Sequence, residues 1–204
     1  LKNPFVGMYF DKTAGVSKRL PIPIEDIRKV QNQCRLMDDD LRWLVALVSD
    51  TGMRLAEGAG LLKSDIILDA DIPYISLKPH PWRPLKTSGS QRDISLVGAS
   101  LWAAQSLSES FPDSPYAFPR YNRRDTTNSN SASAALNKWL HQYVPVGCTM
   151  HSFRHSMRDR LRAVECPSDV IGQIGGWATE GAGQCYCERY ELKVCMKWMN
   201  FILA

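Results

Sequence analysis

Strand-like residues are confined to one stretch of this chain, and helical patterns lie on both sides of it. Apolar and β-branched residues cluster or alternate at 66–68, 72–77 and 92–97, which is typical of short strands. Apolar residues at helical spacing mark seven further segments, at 24–34, 38–52, 98–110, 131–144, 151–165, 167–175 and 191–204. The sequence therefore predicts a mainly α fold with one small antiparallel sheet, of the α+β class.

The length of the chain, 204 residues with 44% apolar residues, suits one large domain or two small ones. We expect a polar N-terminal linker at 1–20, a domain at 21–190 and an apolar terminal helix at 191–204. That helix either packs on its own chain or docks on a neighbouring protomer. The leading Leu indicates a fragment of a longer protein. No apolar run reaches the ~18–20 residues that span a bilayer, so no membrane partner is expected.

The six cysteines do not form a recognisable metal motif. Cys185 and Cys187 lie close to Cys195 in sequence, but no second CxxC or HxxxH completes a zinc set. Without a secretory signal, reduced thiols are the expectation. We predict no metal site and no cofactor.

Positive charge is concentrated in two segments, although the whole chain carries a formal net charge of only +4. Residues 120–162 hold eight basic and two acidic residues, and 78–92 hold four basic residues and no acid. Such segregation is typical of proteins that bind a polyanion such as DNA. A solvated basic face without a partner is the alternative that charge alone leaves open.

The basic segment HSFRHSMRDRLR places histidine and arginine side chains on one face of a predicted helix. Helical spacing brings His151, Arg154, His155 and Arg158 together. A histidine and an arginine one turn apart can offer a proton and a bidentate fork to one phosphate. A zinc site is disfavoured because the glutamate of HExxH is absent and Arg154 would repel a cation. A purely structural role for these side chains is the alternative.

Four ordered blocks of the chain together resemble the catalytic domain of the tyrosine recombinases, the phage integrase family. Each block alone is a weak signal, whereas all four in this order are specific, and they cover roughly residues 21–190. The blocks are TGMRLAE at 51–57, LKT at 85–87 with RDISL at 92–96, HSFRH at 151–155, and IGGW at 174–177 followed by Tyr186.

The resemblance implies a role for each matching side chain in DNA strand transfer. Arg54 and Arg154 would hold the non-bridging oxygens of the scissile phosphate, and Tyr186 would attack phosphorus to form a 3′-phosphotyrosine. His151 would serve as the acid or base, and Lys86 would protonate the departing 5′ oxygen. These roles need no metal and no ATP, because the phosphotyrosine ester keeps the energy of the cut bond.

Four further residues either depart from the family's usual pattern, support the main residues or compete with one of them. Trp177 stands where many relatives have histidine; its indole N–H can donate to phosphate but cannot titrate. Glu57 is expected to brace Arg54 or the local helix, and His155 is expected to cap its helix or fill a niche in the core. Tyr190 competes with Tyr186 as the nucleophile, but Tyr186 has the family's usual spacing from Trp177.

The resemblance predicts a site-specific recombinase or integrase of a phage or other mobile element. It implies double-stranded attachment-site DNA as the partner, a tetramer on DNA with a monomer in solution, a missing N-terminal core-binding domain, and a cytoplasmic, nucleoid-associated location in a bacterium or its phage. A type IB topoisomerase and a non-catalytic DNA-binding module are the alternatives. The arginines predicted to contact DNA are Arg83, Arg92, Arg120, Arg123, Arg124 and Arg158.

Overall fold

The computed structural model describes residues 20–123, 126–177 and 189–203. Helices dominate these residues, as the sequence predicts. They are Ile24–Met37 (α1), Asp40–Thr51 (α2), Leu55–Ala59 (α3), Gly98–Glu109 (α4), Ser129–Leu140 (α5), Ser152–Ala163 (α6), Ser168–Gly175 (α7) and Leu192–Phe201 (α8). Single 3-10 turns lie at Lys63–Asp65, Ser88–Ser90 and Pro119–Tyr121.

The predicted sheet is present, and the segment before α5 adds a second, smaller one. Ile66–Ile67 (β1), Tyr74–Leu77 (β2) and Arg92–Ser95 (β3) form an antiparallel sheet in the order β1-β2-β3, with Ile75 opposite Ile94. Asn122–Arg123 (β4) and Thr126–Thr127 (β5) pair as a short antiparallel ribbon. The sequence predicts only a polar loop there, since two-residue strands have no room for an apolar alternation. The fold class is confirmed as mainly α with small antiparallel sheets.

The central helix of the core is α2, whose residues from Leu44 to Thr51 are all buried. Its start is capped by Asp39, which accepts a hydrogen bond from the Arg42 amide. It ends at Gly52, whose φ of 61° lies in the left-handed region that glycine adopts without strain. A Cβ at Gly52 would also lie 2.9 Å from Cγ of Met157 on α6. This glycine therefore turns the chain and lets α6 approach α2 closely.

The terminal helix α8 packs on its own chain in this structure. Cys195, Met199 and Ile202 are buried in the same apolar core as α2 and α6. Arg160 of α6 donates a 2.8 Å hydrogen bond to the carbonyl of Ile202. Exchange of this helix between protomers stays a prediction, because the structure contains a single chain. No helix among the described residues has the length and apolar character needed to cross a membrane.

Candidate active site

Arg54 lies directly before α3, two residues after the glycine that ends α2. Its backbone amide donates to Glu57 Oε2 at 2.9 Å, and its Nη1 donates to Glu57 Oε1 at 2.6 Å and to Ser90 Oγ at 3.0 Å. Glu57 thus caps the first turn of α3 and orients the guanidinium with the same carboxylate. About a quarter of the Arg54 side chain (23%) stays exposed. The predicted brace between Glu57 and Arg54 is present in the structure.

Glu57 also serves a second, fully buried arginine. Arg92 of β3 lies 3.5 Å from Glu57 Oε2 and donates to the carbonyls of Ile174 and Ser90. Burial raises the pKa of Glu57, but the charges of Arg92 and Arg54 and the hydrogen bonds from Arg54 outweigh burial and leave it below its ordinary value. The carboxylate is therefore ionised at neutral pH.

Arg154 is the most deeply buried of the predicted phosphate-binding residues, with 4% of its surface exposed. Its Nη1 donates to the carbonyl of Gly52 at 2.9 Å, whereas Nη2 has no hydrogen-bond partner in the described part of the chain. Burial and the nearby charges of Arg92 and Arg54 lower its pKa to about 9. At neutral pH it is a cation with an unsatisfied donor.

These four residues, Arg54, Glu57, Arg92 and Arg154, form what we call the arginine cluster. It contains three guanidinium groups and one carboxylate, all at least three-quarters buried. Buried charge of one sign destabilises a fold unless it is compensated. An oxyanion that accepts from Arg54 and from Nη2 of Arg154 would supply the missing negative charge and the missing acceptor. The arrangement is suited to bind a phosphate group.

His151 stands at the start of α6, one turn before Arg154. Its ring centroid lies 5.2 Å from that of His155 in an edge-to-face arrangement. Arg54 and His151 line one cavity of about 310 Å³ together with side chains of α5. The fold therefore brings the first and third sequence blocks to one cavity. His155 itself is exposed.

Lys86 is exposed on the connection between β2 and β3, and the turn that follows it is bonded to the arginine cluster. The Ser90 amide donates to the Thr87 carbonyl at 3.0 Å, and the hydroxyls of Thr87 and Ser90 lie 2.9 Å apart. Ser90 in turn accepts from Arg54. Thr87, which belongs to the second block, and Ser90, to which sequence reasoning assigned no role, thus link the second block to the first.

Trp177 covers the guanidinium of Arg154. The Arg154 Cζ atom lies 4.4 Å from the indole centroid, and that of Arg158 lies 5.8 Å away. A Cβ at Gly175 would lie 1.8 Å from the indole ring, so this position must be glycine for the ring to lie there. Gly175 therefore makes room for the indole ring, and the ring makes a cation–π contact with Arg154. The sequence predicts donation from the indole N–H to phosphate; the structure adds the stacking contact.

Of the two candidate nucleophiles, the structure describes only Tyr190. Tyr186, with Cys185 and Cys187, lies outside the described residues. Tyr190 is described and is tied to α7: its backbone exchanges two hydrogen bonds with the amide of Gln173, at 2.7 and 2.8 Å. Its hydroxyl donates to the Asp169 carboxylate. A phenol held by a carboxylate is poorly placed to attack an anionic phosphate. The sequence offered no signal for this role of Gln173 and Asp169.

The predicted DNA-binding arginines divide into buried and exposed groups. Arg83 and Arg92 are each 2% exposed and bonded to internal carbonyls and carboxylates, so contact of these two arginines with DNA stays a prediction. Arg123 and Arg158 are exposed, as a contact with DNA requires. Arg120 is exposed but paired with Asp40 at 2.9 Å. Arg124 lies outside the described residues. The distribution of charge along a sequence does not show which cationic side chains will be buried and paired inside the fold.

Three solved structures that share this fold are recombinases or integrases. The XerH site-specific recombinase bound to difH substrate matches at a TM-score of 0.59 and 17% identity over 79% of this chain and 48% of that one. The Tn1549 transposon integrase in complex with circular intermediate DNA matches at 0.60 and 15%, over 91% and 68%. The XerA recombinase matches at 0.58 and 16%, over 98% and 68%. The chain thus spans about half the length of XerH.

A family comparison covers most of the sequence. Among curated proteins, none matches the chain significantly. The sequence model of the phage integrase family, however, matches residues 24–192, from the first residue of α1 to the first of α8. This match includes all four blocks and every residue of the arginine cluster. The chain belongs to the phage integrase family.

Proposed function

We propose that this chain is the catalytic domain of a site-specific DNA recombinase. It would cut and rejoin DNA strands through a covalent 3′-phosphotyrosine, without metal or ATP. The observation that carries the proposal is the arginine cluster, in which a buried Arg154 retains an unpartnered Nη2 next to Arg54 and one carboxylate. A site of this kind favours an oxyanion and gains charge balance from binding it.

The strand-transfer step assigns one task to each residue. Arg54 and Arg154 bind the non-bridging oxygens and stabilise the charge that grows on them in the transition state. Tyr186 Oη attacks phosphorus, the new O–P bond forms as the bond from phosphorus to the 5′ oxygen breaks, and the phenol proton passes to His151. Lys86 donates a proton to the departing 5′ oxygen. Rejoining is the reverse sequence with a new 5′-hydroxyl.

The choice of Tyr186 over Tyr190 rests on spacing in the sequence and on the tether of Tyr190 to α7. A nucleophile must approach the phosphate, yet the Tyr190 hydroxyl donates to Asp169 and its backbone is clasped by Gln173. Tyr190 is instead suited to fix the chain that enters α8.

The charge of the site supports metal independence. In metal-dependent phosphoryl transfer a divalent cation neutralises the phosphate and is held by carboxylates. Here guanidinium groups occupy that role, and the one carboxylate, Glu57, is engaged by two arginines. A second cation would be repelled by Arg54 and Arg154.

Double-stranded attachment-site DNA is the proposed substrate. XerH and the Tn1549 integrase, which share the fold, were solved with DNA. The exposed Arg123 and Arg158 provide positive charge for a phosphate backbone. We also propose a tetramer on DNA that dissociates to monomers in solution, an N-terminal core-binding domain, and a cytoplasmic, nucleoid-associated location.

The proposal is tested by covalent trapping. The full chain is incubated with a pool of nicked duplexes of randomised sequence, so that cleavage releases a short strand and rejoining fails. We expect a protein–DNA adduct that resists denaturant, forms equally in EDTA, persists in Tyr190→Phe and is absent in Tyr186→Phe. An adduct in Tyr186→Phe, or a requirement for divalent metal, would contradict the proposal.

A further inference from the structure

A buried polar cluster lies at the base of the connection that carries Lys86. Its centre is Asp65, which follows α3 in the chain and is fully buried. The Asp65 carboxylate lies 2.8 and 3.1 Å from His80 Nε2 and accepts a hydrogen bond from the Leu62 amide at 3.1 Å. Lys78 Nζ stands 3.7 Å away. A carboxylate with this many donors is fixed in orientation.

Arg83 anchors the same connection to the loop after α3. Its Nη2 lies 3.6 Å from Asp65 Oδ2 and donates to the Lys78 carbonyl, while its Nε donates to the Gly60 carbonyl at 3.2 Å. A Cβ at Gly60 would lie 2.6 Å from Cδ of Arg83, so glycine is needed for this contact. Arg83 is therefore an internal anchor of this connection.

The turn between His80 and Arg83 is closed by its own backbone and by stacked rings. The two residues exchange backbone hydrogen bonds of 3.2 and 3.0 Å. The His80 and Trp82 rings stack with centroids 4.6 Å apart and planes 7° from parallel, and Trp82 packs edge-on against Tyr116. Trp82 Nε1 donates to the Gly60 carbonyl, as Arg83 does. Residues 78–83 therefore form a rigid support for the connection that carries Lys86.

Lys86 lies between this rigid support and the turn that is bonded to Arg54. Lys86 is three positions after Arg83 in the chain, so its Cα can lie at most about 11 Å from that of Arg83. On the other side, Thr87 is its direct neighbour and bonds Ser90, which accepts from Arg54. Both ends of the short span that carries Lys86 are thus held by the fold.

We propose that Asp65, His80 and Arg83 form a positioning cluster that sets the reach of Lys86 toward the scissile phosphate. This proposal rests on the proposed function, in which Lys86 protonates the 5′ oxygen. Buried ion pairs add little net stability, so orientation of the connection is the benefit that offsets their cost. Loss of the His80 N–H removes the closest hydrogen-bond donor of the Asp65 carboxylate. The rigid support formed by residues 78–83 then becomes less well fixed.

Two substitutions at His80 separate its hydrogen bond from its ring. His80→Phe keeps the stack on Trp82 but removes the donor to Asp65, whereas His80→Gln keeps an amide N–H at a similar reach. With ordinary nicked DNA we expect His80→Phe to cleave about 10²-fold more slowly, the scale that a misplacement of about 1 Å produces. His80→Gln should retain most of the wild-type rate. His80→Phe should unfold at a lower temperature than the wild type because the buried Asp65 carboxylate loses a partner, so cleavage is measured well below the unfolding midpoint of each variant.

A substrate with sulfur at the 5′ bridging position distinguishes positioning from general damage. A thiolate leaves without being protonated, since a thiol has a pKa of about 8.5, so the general acid becomes dispensable. Lys86→Ala should lose about 10²–10⁴-fold on the oxygen substrate and recover on the sulfur one. We expect His80→Phe to recover likewise, to within about threefold of wild type, whereas Arg54→Ala stays slow because its role is not proton donation.

The outcomes separate this inference from the proposed function. If Lys86→Ala recovers on sulfur but His80→Phe stays slow, or if His80→Phe cleaves the oxygen substrate normally, the positioning cluster is refuted and the function stands. If Lys86→Ala fails to recover, Lys86 is not the acid, and that step of the function and the positioning cluster are overturned together.

Discussion

At the scale of single residues, chemistry and burial were predictable to different degrees. The motif blocks predict Arg54, His151 and Arg154 as site residues because their types and spacing carry the resemblance. Burial could not be predicted in the same way: Arg92 sits in a basic segment that reads as surface, yet β3 turns it inward onto Glu57. An arginine is buried when a carboxylate that is distant in sequence faces it in the fold. The sequence alone does not show that the two residues will pair.

Trp177 gives a prediction that separates two roles of one side chain. If the indole face stabilises the Arg154 cation, Trp177→Phe keeps a ring and most of the cleavage rate, whereas Trp177→Ala loses a desolvated cation–π contact of about 2 kcal/mol, or roughly 30-fold in rate. Single-turnover cleavage of nicked DNA measures both variants. Equal losses in Phe and Ala would show that the indole N–H, not the face, is what matters.

At the scale of elements, the helices were predictable because periodicity and end signals agree. For α2, apolar residues from Leu44 to Val48, an N-terminal Asp39 cap and the stop at Gly52 all indicate the same helix. The β4–β5 ribbon was not predictable, because its pairing depends on contacts such as Thr127 Oγ1 donating to Asn122 Oδ1. The packing partner of α8 was also left open by its sequence, since apolar residues occur on most of its sides.

The cis packing of α8 predicts unequal effects along that helix. Met199→Ala should lower the free energy of unfolding by about 2–5 kcal/mol, since the side chain is fully buried in the core. Phe201→Ala on the same helix should cost less than about 1 kcal/mol, because 49% of Phe201 is exposed. Urea unfolding of the monomer measures both. Equal, small losses would indicate that the helix leaves its own core in solution.

At the scale of the whole molecule, the net charge of +4 is distributed unevenly along the sequence. The fold then buries part of the positive charge, so fewer cations are exposed than the sequence contains. Four arginines of the two basic segments, Arg83, Arg92, Arg154 and Arg160, are directed inward onto carboxylates, carbonyls and an aromatic ring. What remains for long-range attraction of DNA is the exposed set. The two basic segments predict a polyanion partner, whereas they do not predict the number of phosphate contacts.

The salt dependence of DNA binding measures that exposed set. Each phosphate contact contributes about −0.9 to the slope of log K against log salt, so Arg158→Ala should make the slope shallower by about 0.9. Lys29→Ala, on the exposed face of α1 and paired with Asp26, is the matched control and should leave it unchanged. Binding titrations of the full chain over a salt series give both slopes. An unchanged slope in Arg158→Ala would remove that residue from the interface.

The central claim, strand cleavage by Tyr186 at the arginine cluster, is tested most directly by locating the nucleotide in the trapped adduct. Trypsin cuts after Arg162, Arg189 and Lys193, so peptide 163–189 contains Tyr186 as its sole tyrosine and peptide 190–193 contains Tyr190. After nuclease and trypsin digestion, mass spectrometry should find the nucleotide on peptide 163–189. A nucleotide on peptide 190–193, or on neither, would contradict the claim.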